Sequence, residues 1–126
     1  MTTNIARDKW NDFFDDISRS MLDWEVAIEV LDEDIGDQIL AKNVAFKGMT
    51  FESKEGDVLE IELGDSANHE THIIRRPRSV AFENTGAGSG SIVEIEDLKG
   101  SKTLVHFIQP FPVLVEWTKP EMAAVK

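Results

Sequence analysis

The sequence predicts an α+β domain that is mainly antiparallel β. One N-terminal helix packs on a strongly bent six- to seven-stranded sheet or small open barrel. Three observations carry this. A single stretch with helical periodicity stands at the N-terminus. Behind it follow short segments of alternating apolar and polar residues. Tight turn signals separate those segments, which is the spacing of an antiparallel sheet. A sheet of this size with one oily face must curl or be covered.

The helix is predicted over residues 6–21. Trp10, Phe13, Phe14, Ile17 and Met21 fall on one helical face, and Asp8, Asp12, Asp15, Asp16 and Arg19 take the others. Asn4 is positioned to cap it. Three aromatics on one stripe would suit a ligand shelf, but core packing is the simpler reading. Trp24, Val26, Ile28 and Val30 then alternate with Glu25, Ala27, Glu29 and Leu31, predicting a strand with one buried face. Asp32–Asp37 reads as a turn and Gln38–Asn43 as a short second strand. Over Val44–Ser53 the parity changes at Gly48, where a bulge costs least. After a turn at Lys54–Asp57, Leu59, Ile61 and Leu63 mark another half-buried strand, and a polar loop covers Gly64–Asn68.

The most unusual stretch is His69–Glu83. It holds two of the three histidines, a basic cluster and Pro77 between two apolar runs. Pro77 cannot sit inside a central strand, and Arg76 before it is pushed toward extended geometry. Beyond it, Val80 and Phe82 share a face. Asn84–Ser91 is glycine-rich and expected to be mobile. Val93 and Ile95 lead into a hairpin turn at Asp97–Gly100, and Thr103, Val105 and Phe107 return. Pro110 and Pro112 end regular pairing. The apolar tail holds Phe111, Val113, Leu114, Val115 and Trp117, expected to pack on the domain or across a homodimer.

The chain has 126 residues, which suits a single domain, 1–126, divided into the helix, a β-rich body at 23–109 and the tail at 110–126. It has no cysteine, which excludes disulfides and thiolate chemistry. No signal-peptide run opens it and no stretch is long enough to span a bilayer, so a cytoplasmic protein is expected, with no membrane partner. The net charge of −11 disfavours nucleic acid as a partner.

Taken in order, the residues are familiar. Arg7-x-x-Trp10-x-x-Phe13-Phe14-Asp15 is followed by Gly36-Asp37-Gln38 and Asp57-Val58-Leu59-Glu60-Ile61. Then come His72-Ile73-Ile74-Arg75-Arg76-Pro77-Arg78 and Glu94-Ile95-Glu96-Asp97-x-x-Gly100. Over most of residues 5–110 this resembles the bacterial family known as domain of unknown function 5335. Where members of that family end on an Arg-Asp-Pro-Leu-like segment, this chain reads Ile108-Gln109-Pro110-Phe111. The resemblance implies a bacterial, cytoplasmic protein and implies no activity.

The candidate chemistry is sparse. His69, Glu70 and His72 suggest a metal site with His106, but in a strand His69 and His72 point to opposite faces. Neither a metal nor a cofactor is expected. Ser66 or Ser79 with a histidine lacks a nucleophile elbow. Gly86–Gly90 lacks the strand–loop–helix context of a phosphate loop. No catalytic residue is assigned. The binding residues proposed from sequence are His72, Arg75, Arg76 and Arg78. Guanidinium groups beside a break in the ladder suit a carboxylate or phosphate, and pairing with the chain's own carboxylates is the competing use. Three classes follow: a non-catalytic binding or protein-interaction module, the favoured one; a small-anion or small-ligand binder; or an enzyme using His72 with the arginines.

Overall fold

The structure is a computed structural model that describes residues 2–84 and 90–110. The elements in chain order are β1 (Thr2–Ile5), a 3-10 turn (Arg7–Lys9), α1 (Trp10–Ser20), β2 (Trp24–Asp32) and β3 (Gly36–Glu52). They continue with β4 (Val58–Leu63), β5 (Glu70–Arg75), β6 (Pro77–Asn84), β7 (Ser91–Asp97) and β8 (Lys102–Pro110). All eight strands form one antiparallel sheet in the order β1-β6-β7-β8-β2-β3-β4-β5.

That order dictates the shape. β5 is one edge of the sheet and β6 lies next to the other, yet only Arg76 separates them in the chain. One residue spans roughly 3.6 Å, so the sheet must curl until its two ends come together. A second tie spans the same seam. Arg7, just after β1, meets Asp57, just before β4, at 2.7 Å. β1 and β5 do not pair, so the barrel stays open.

β3 makes the curl possible. Its first half pairs with β2 and its second half with β4. Sequence reading divides this segment into two strands; it is one strand of 17 residues with irregular positions inside it. Asn43 has φ 57 and Gly48 φ 153, and the register shifts at both places. Bulges flip the side-chain parity and bend a strand without ending its pairing, which explains the parity change at Gly48.

The predicted helix holds as the 3-10 turn plus α1. Trp10, Phe14 and Ile17 are buried, while Phe13 and Met21 are half-buried. Asn4 does not cap it, because Asn4 lies in β1, paired with Ala81. Instead the Lys9 N–H donates to the Ala6 carbonyl at 2.8 Å and the Trp10 indole donates to the Ile5 carbonyl at 3.0 Å. β1 itself is unforeseen from sequence, since four largely exposed residues show no alternation. It raises the strand number to eight. The helix packs chiefly on β3: Trp10 stacks edge-on with Phe51, and Phe13 touches Phe82 across the opening. Ser18 accepts the Met49 N–H at 2.9 Å and donates to the Met49 carbonyl at 3.2 Å, fastening the helix beside the Gly48 bulge.

The core joins Val26, Ile28, Phe46, Leu59, Ile61, Leu63, Val93, Ile95, Val105 and Phe107 to the helix face. The alternation predicted for β2, β4, β7 and β8 is therefore the one observed. Gly100 has φ 95 in the β7–β8 turn, as its place there requires. The glycine-rich stretch at 85–89 and the apolar tail at 111–117 lie outside the described residues.

Candidate functional site

The turns at 54–57 and 98–100 meet at the β5–β6 crossover, and the turn at 33–35 adjoins the one at 98–100. The crossover is the tightest. Arg76 has φ 57, a left-handed conformation that costs a non-glycine residue energy and persists only when its surroundings enforce it. Two backbone hydrogen bonds do so. The Arg76 N–H donates to the Asp57 carbonyl at 2.8 Å, and its carbonyl accepts the Leu98 N–H at 3.1 Å. The expectation of extended geometry at Arg76 is thus overturned, because the chain turns a corner there, crossing from one edge of the sheet to the strand beside the other edge. Pro77 is buried and takes the first position of β6, where its missing N–H costs least.

The four proposed residues do not converge. His72 shares the inner face of β5 with the buried Ile74, whereas Arg75 shares the outer face with Ile73. His72 lines a cleft of about 190 Å³ with Ile28, Leu40, Ala41, Leu63 and Thr71. Arg75 and Arg76 line a different cleft of about 420 Å³, completed by Asp97, Leu98 and Lys99. Arg76 and Arg78 share a third with Arg7, Asp57 and Leu98. The crossover therefore carries a basic rim from which His72 is excluded.

Charge pairing divides that rim. Arg78 meets Glu96 at 2.8 Å, and Arg7 meets Asp57 while lying over the rings of Trp10 and Phe51. Arg75, Arg76 and Lys99 are exposed and make no ion pair among the described residues. The acidic neighbour in their cleft is already engaged. Asp97 accepts the N–H groups of Lys99 at 2.9 Å and Ser101 at 3.0 Å, which holds the turn. Lys99 and Leu98 escape sequence reasoning because they reach the cleft from a turn more than twenty residues away.

The histidines are separately placed. His69 meets Glu62 at 2.9 Å and His106 meets Glu29 at 3.3 Å. Among the described residues no three His, Asp or Glu side chains gather as a metal site, and no helix is long and apolar enough to cross a membrane.

Burial disfavours the imidazolium form of His72 and lowers its pKa from the ordinary value, against a smaller opposing pull from Glu70. The unfolded chain thus binds this proton more readily than the folded one. Stability falls as pH drops through the unfolded histidine value of about 6.5 and levels off below the folded value. His72→Gln is expected to flatten that part of the profile. Thermal unfolding of both proteins between pH 5 and 8 checks it: identical slopes would show that His72 contributes nothing.

Residues 1–113 match the family model described as "Family of unknown function (DUF5335)". An uncharacterized protein of Aquifex aeolicus (strain VF5) is 27% identical over 112 residues, which is 89% of this chain and 96% of that protein. No solved structure matches. The matched span takes in the whole barrel, the Arg7–Trp10–Phe51 stack and the crossover at Arg76, and the chain belongs to this family of unknown function.

Proposed function

We propose that this protein is a non-catalytic cytoplasmic binding module, and that its contact surface is the basic rim at the β5–β6 crossover. The group it takes is an anion, a carboxylate or phosphate presented by a small ligand or by an acidic partner segment. One observation carries the reading. In a chain of net charge −11, Arg75, Arg76 and Lys99 surround one cleft and have no ion pair among the described residues. Abundant carboxylates would satisfy them cheaply, as they do Arg7 and Arg78, so their lack of an ion pair among the described residues is the unexpected feature. A guanidinium pair in a partly enclosed cleft suits bidentate capture. Local positive potential in a negative background attracts anions. Binding is favoured over catalysis because His72 and Arg75 face opposite sides of β5.

The test is a titration of isotopically labelled protein with phosphate and with citrate, followed by NMR. Shifts are expected to localise to residues 75–78 and 97–99. They should be lost in Arg75→Ala/Arg76→Ala and kept in His72→Gln. Uniform or absent shifts would reject the reading.

A further inference from the structure

The acidic β2–β3 turn stands beside the basic rim. Leu31 of β2 pairs with Lys102 of β8, and the Ser101 hydroxyl donates to Asp32 at 2.6 Å, joining this turn to the β7–β8 turn. Asp32 also accepts the N–H groups of Asp34 and Ile35, so its carboxylate is occupied locally. Those hydrogen bonds hold its pKa below the usual carboxylate range. Glu33, Asp34 and Asp37 are different. They are exposed and make no ion pair among the described residues.

These two turns therefore present neighbouring patches of opposite sign; Lys99 helps to lower the Asp32 pKa, but no ion pair joins the patches among the described residues. Each also has an exposed apolar side chain: Ile35 is 65% exposed in the acidic turn and Leu98 57% exposed in the basic rim. The rigid turns explain why the patches form no ion pair within one molecule. Asp32 and Asp97 spend their carboxylates on backbone N–H groups, and the β2–β8 pairing fixes the distance between the turns. A surface that bears a patch and its complement side by side is self-complementary about a two-fold axis. Each patch then meets its opposite on the other copy, and both contacts form at once.

We infer that this surface is a self-association face whose occupant is a second copy of this chain. Glu33 and Asp34 of one copy enter the Arg75–Arg76–Lys99 cleft of the other, with Ile35 against Leu98, and the exchange is reciprocal. The inference rests on the reading that the rim captures carboxylates, and it names their source. Net negative charge repels two copies at long range, so the dimer is held by the local match of sign and by the two apolar contacts.

Charge exchange tests it on the full chain by sedimentation velocity. Wild type is expected to dimerise as concentration rises. Arg75→Glu/Arg76→Glu makes both patches acidic and Glu33→Arg/Asp34→Arg makes both basic, so each variant alone should be monomeric. Mixed in equal amounts, the two should form a heterodimer. Lys9→Glu/Lys42→Glu changes net charge by as much as the first variant but lies outside the face, and should dimerise like wild type. All four positions altered in the patch variants are exposed, so folding is checked simply by circular dichroism. A wild type that stays monomeric overturns the inference, as does a dimer retained by both patch variants, which would place the contact elsewhere, such as at residues 111–117. So does a mixture that fails to associate. A monomeric wild type that still shows phosphate and citrate shifts at residues 75–78 would overturn the dimer while leaving anion capture standing.

Discussion

Replacing Phe14 with alanine is expected to lower the unfolding free energy by about 3–5 kcal/mol, the range for an aromatic truncated in a core that cannot collapse around the void. Phe14 is 1% exposed, belongs to the core cluster and meets Phe13 edge-on at 5.5 Å. Its surroundings give it little chance of relaxing. Trp10 one turn earlier is fixed by its indole hydrogen bond to Ile5 and by its contact with Phe51. Ile17 one turn later lies in the part of the helix that Ser18 holds to Met49. The helix cannot tilt to fill the space without breaking one of these ties. Phe13→Ala should cost less, because Phe13 is only half-buried and bridges outward to Phe82. Urea unfolding of the two variants measures the difference. Equal losses, or none for Phe14→Ala, would show that the helix is not seated as described.

The contrast between Phe13 and Phe14 also marks how far the sequence was legible. Periodicity assigned both to one apolar stripe, but it could not say which would face β3 and which the opening, since that depends on where the sheet curls. Strand parity was more informative. The alternation in β4, β7 and β8 named the buried residues correctly, because the stretches that carry it, 59–63, 93–95 and 103–107, contain no bulge of their own; the irregularity in β8 comes only after Phe107. It failed to join 38–43 with 44–53 for the complementary reason: bulges at Asn43 and Gly48 break the period while the ladder continues. Ser18 was invisible as a structural residue, since its hydroxyl acts on a backbone 31 positions away.

The same division holds at the site. The basic cluster at Arg75 and Arg76 and the break at Pro77 were visible in sequence. Parity set His72 opposite Ile73, yet the sequence reading still grouped the histidine with the arginines; it is β5 that carries His72 on its inner face and Arg75 on its outer one. What no spacing could show was which arginines would find carboxylates. Glu96 reaches Arg78 because β6 and β7 pair, and Asp57 reaches Arg7 because the curl of the sheet brings the residue after β1 to the one before β4. Leu98 and Lys99 complete the cleft for the same topological reason.

The loop that launches β5 offers a second large effect. Gly64 has φ 95, and a side-chain carbon added there would lie 1.9 Å from the Asn68 carbonyl oxygen. Gly36 has a similar φ of 81 with nothing within 4 Å of the same added atom. Both substitutions to alanine meet the left-handed penalty of about 1–2 kcal/mol. Gly36→Ala should cost little more than that. Gly64→Ala must in addition displace the backbone at Asn68, and this backbone is not free to move. Gly64 donates to the Ala45 carbonyl at 2.8 Å, and Asp65 accepts the N–H groups of Ala67 and Asn68 at 2.9 and 2.8 Å. Shifting Asn68 strains these bonds and displaces the entry into β5, whose register carries Ile74 into the core and Arg75 to the rim. The expected result is a Gly64→Ala variant markedly less stable than Gly36→Ala in urea. Its amide shifts should spread from residue 64 through 75, and its response to phosphate at the rim should weaken. If both variants lose the same stability and both keep the wild-type titration, the loop yields to the added carbon and β5 does not depend on it.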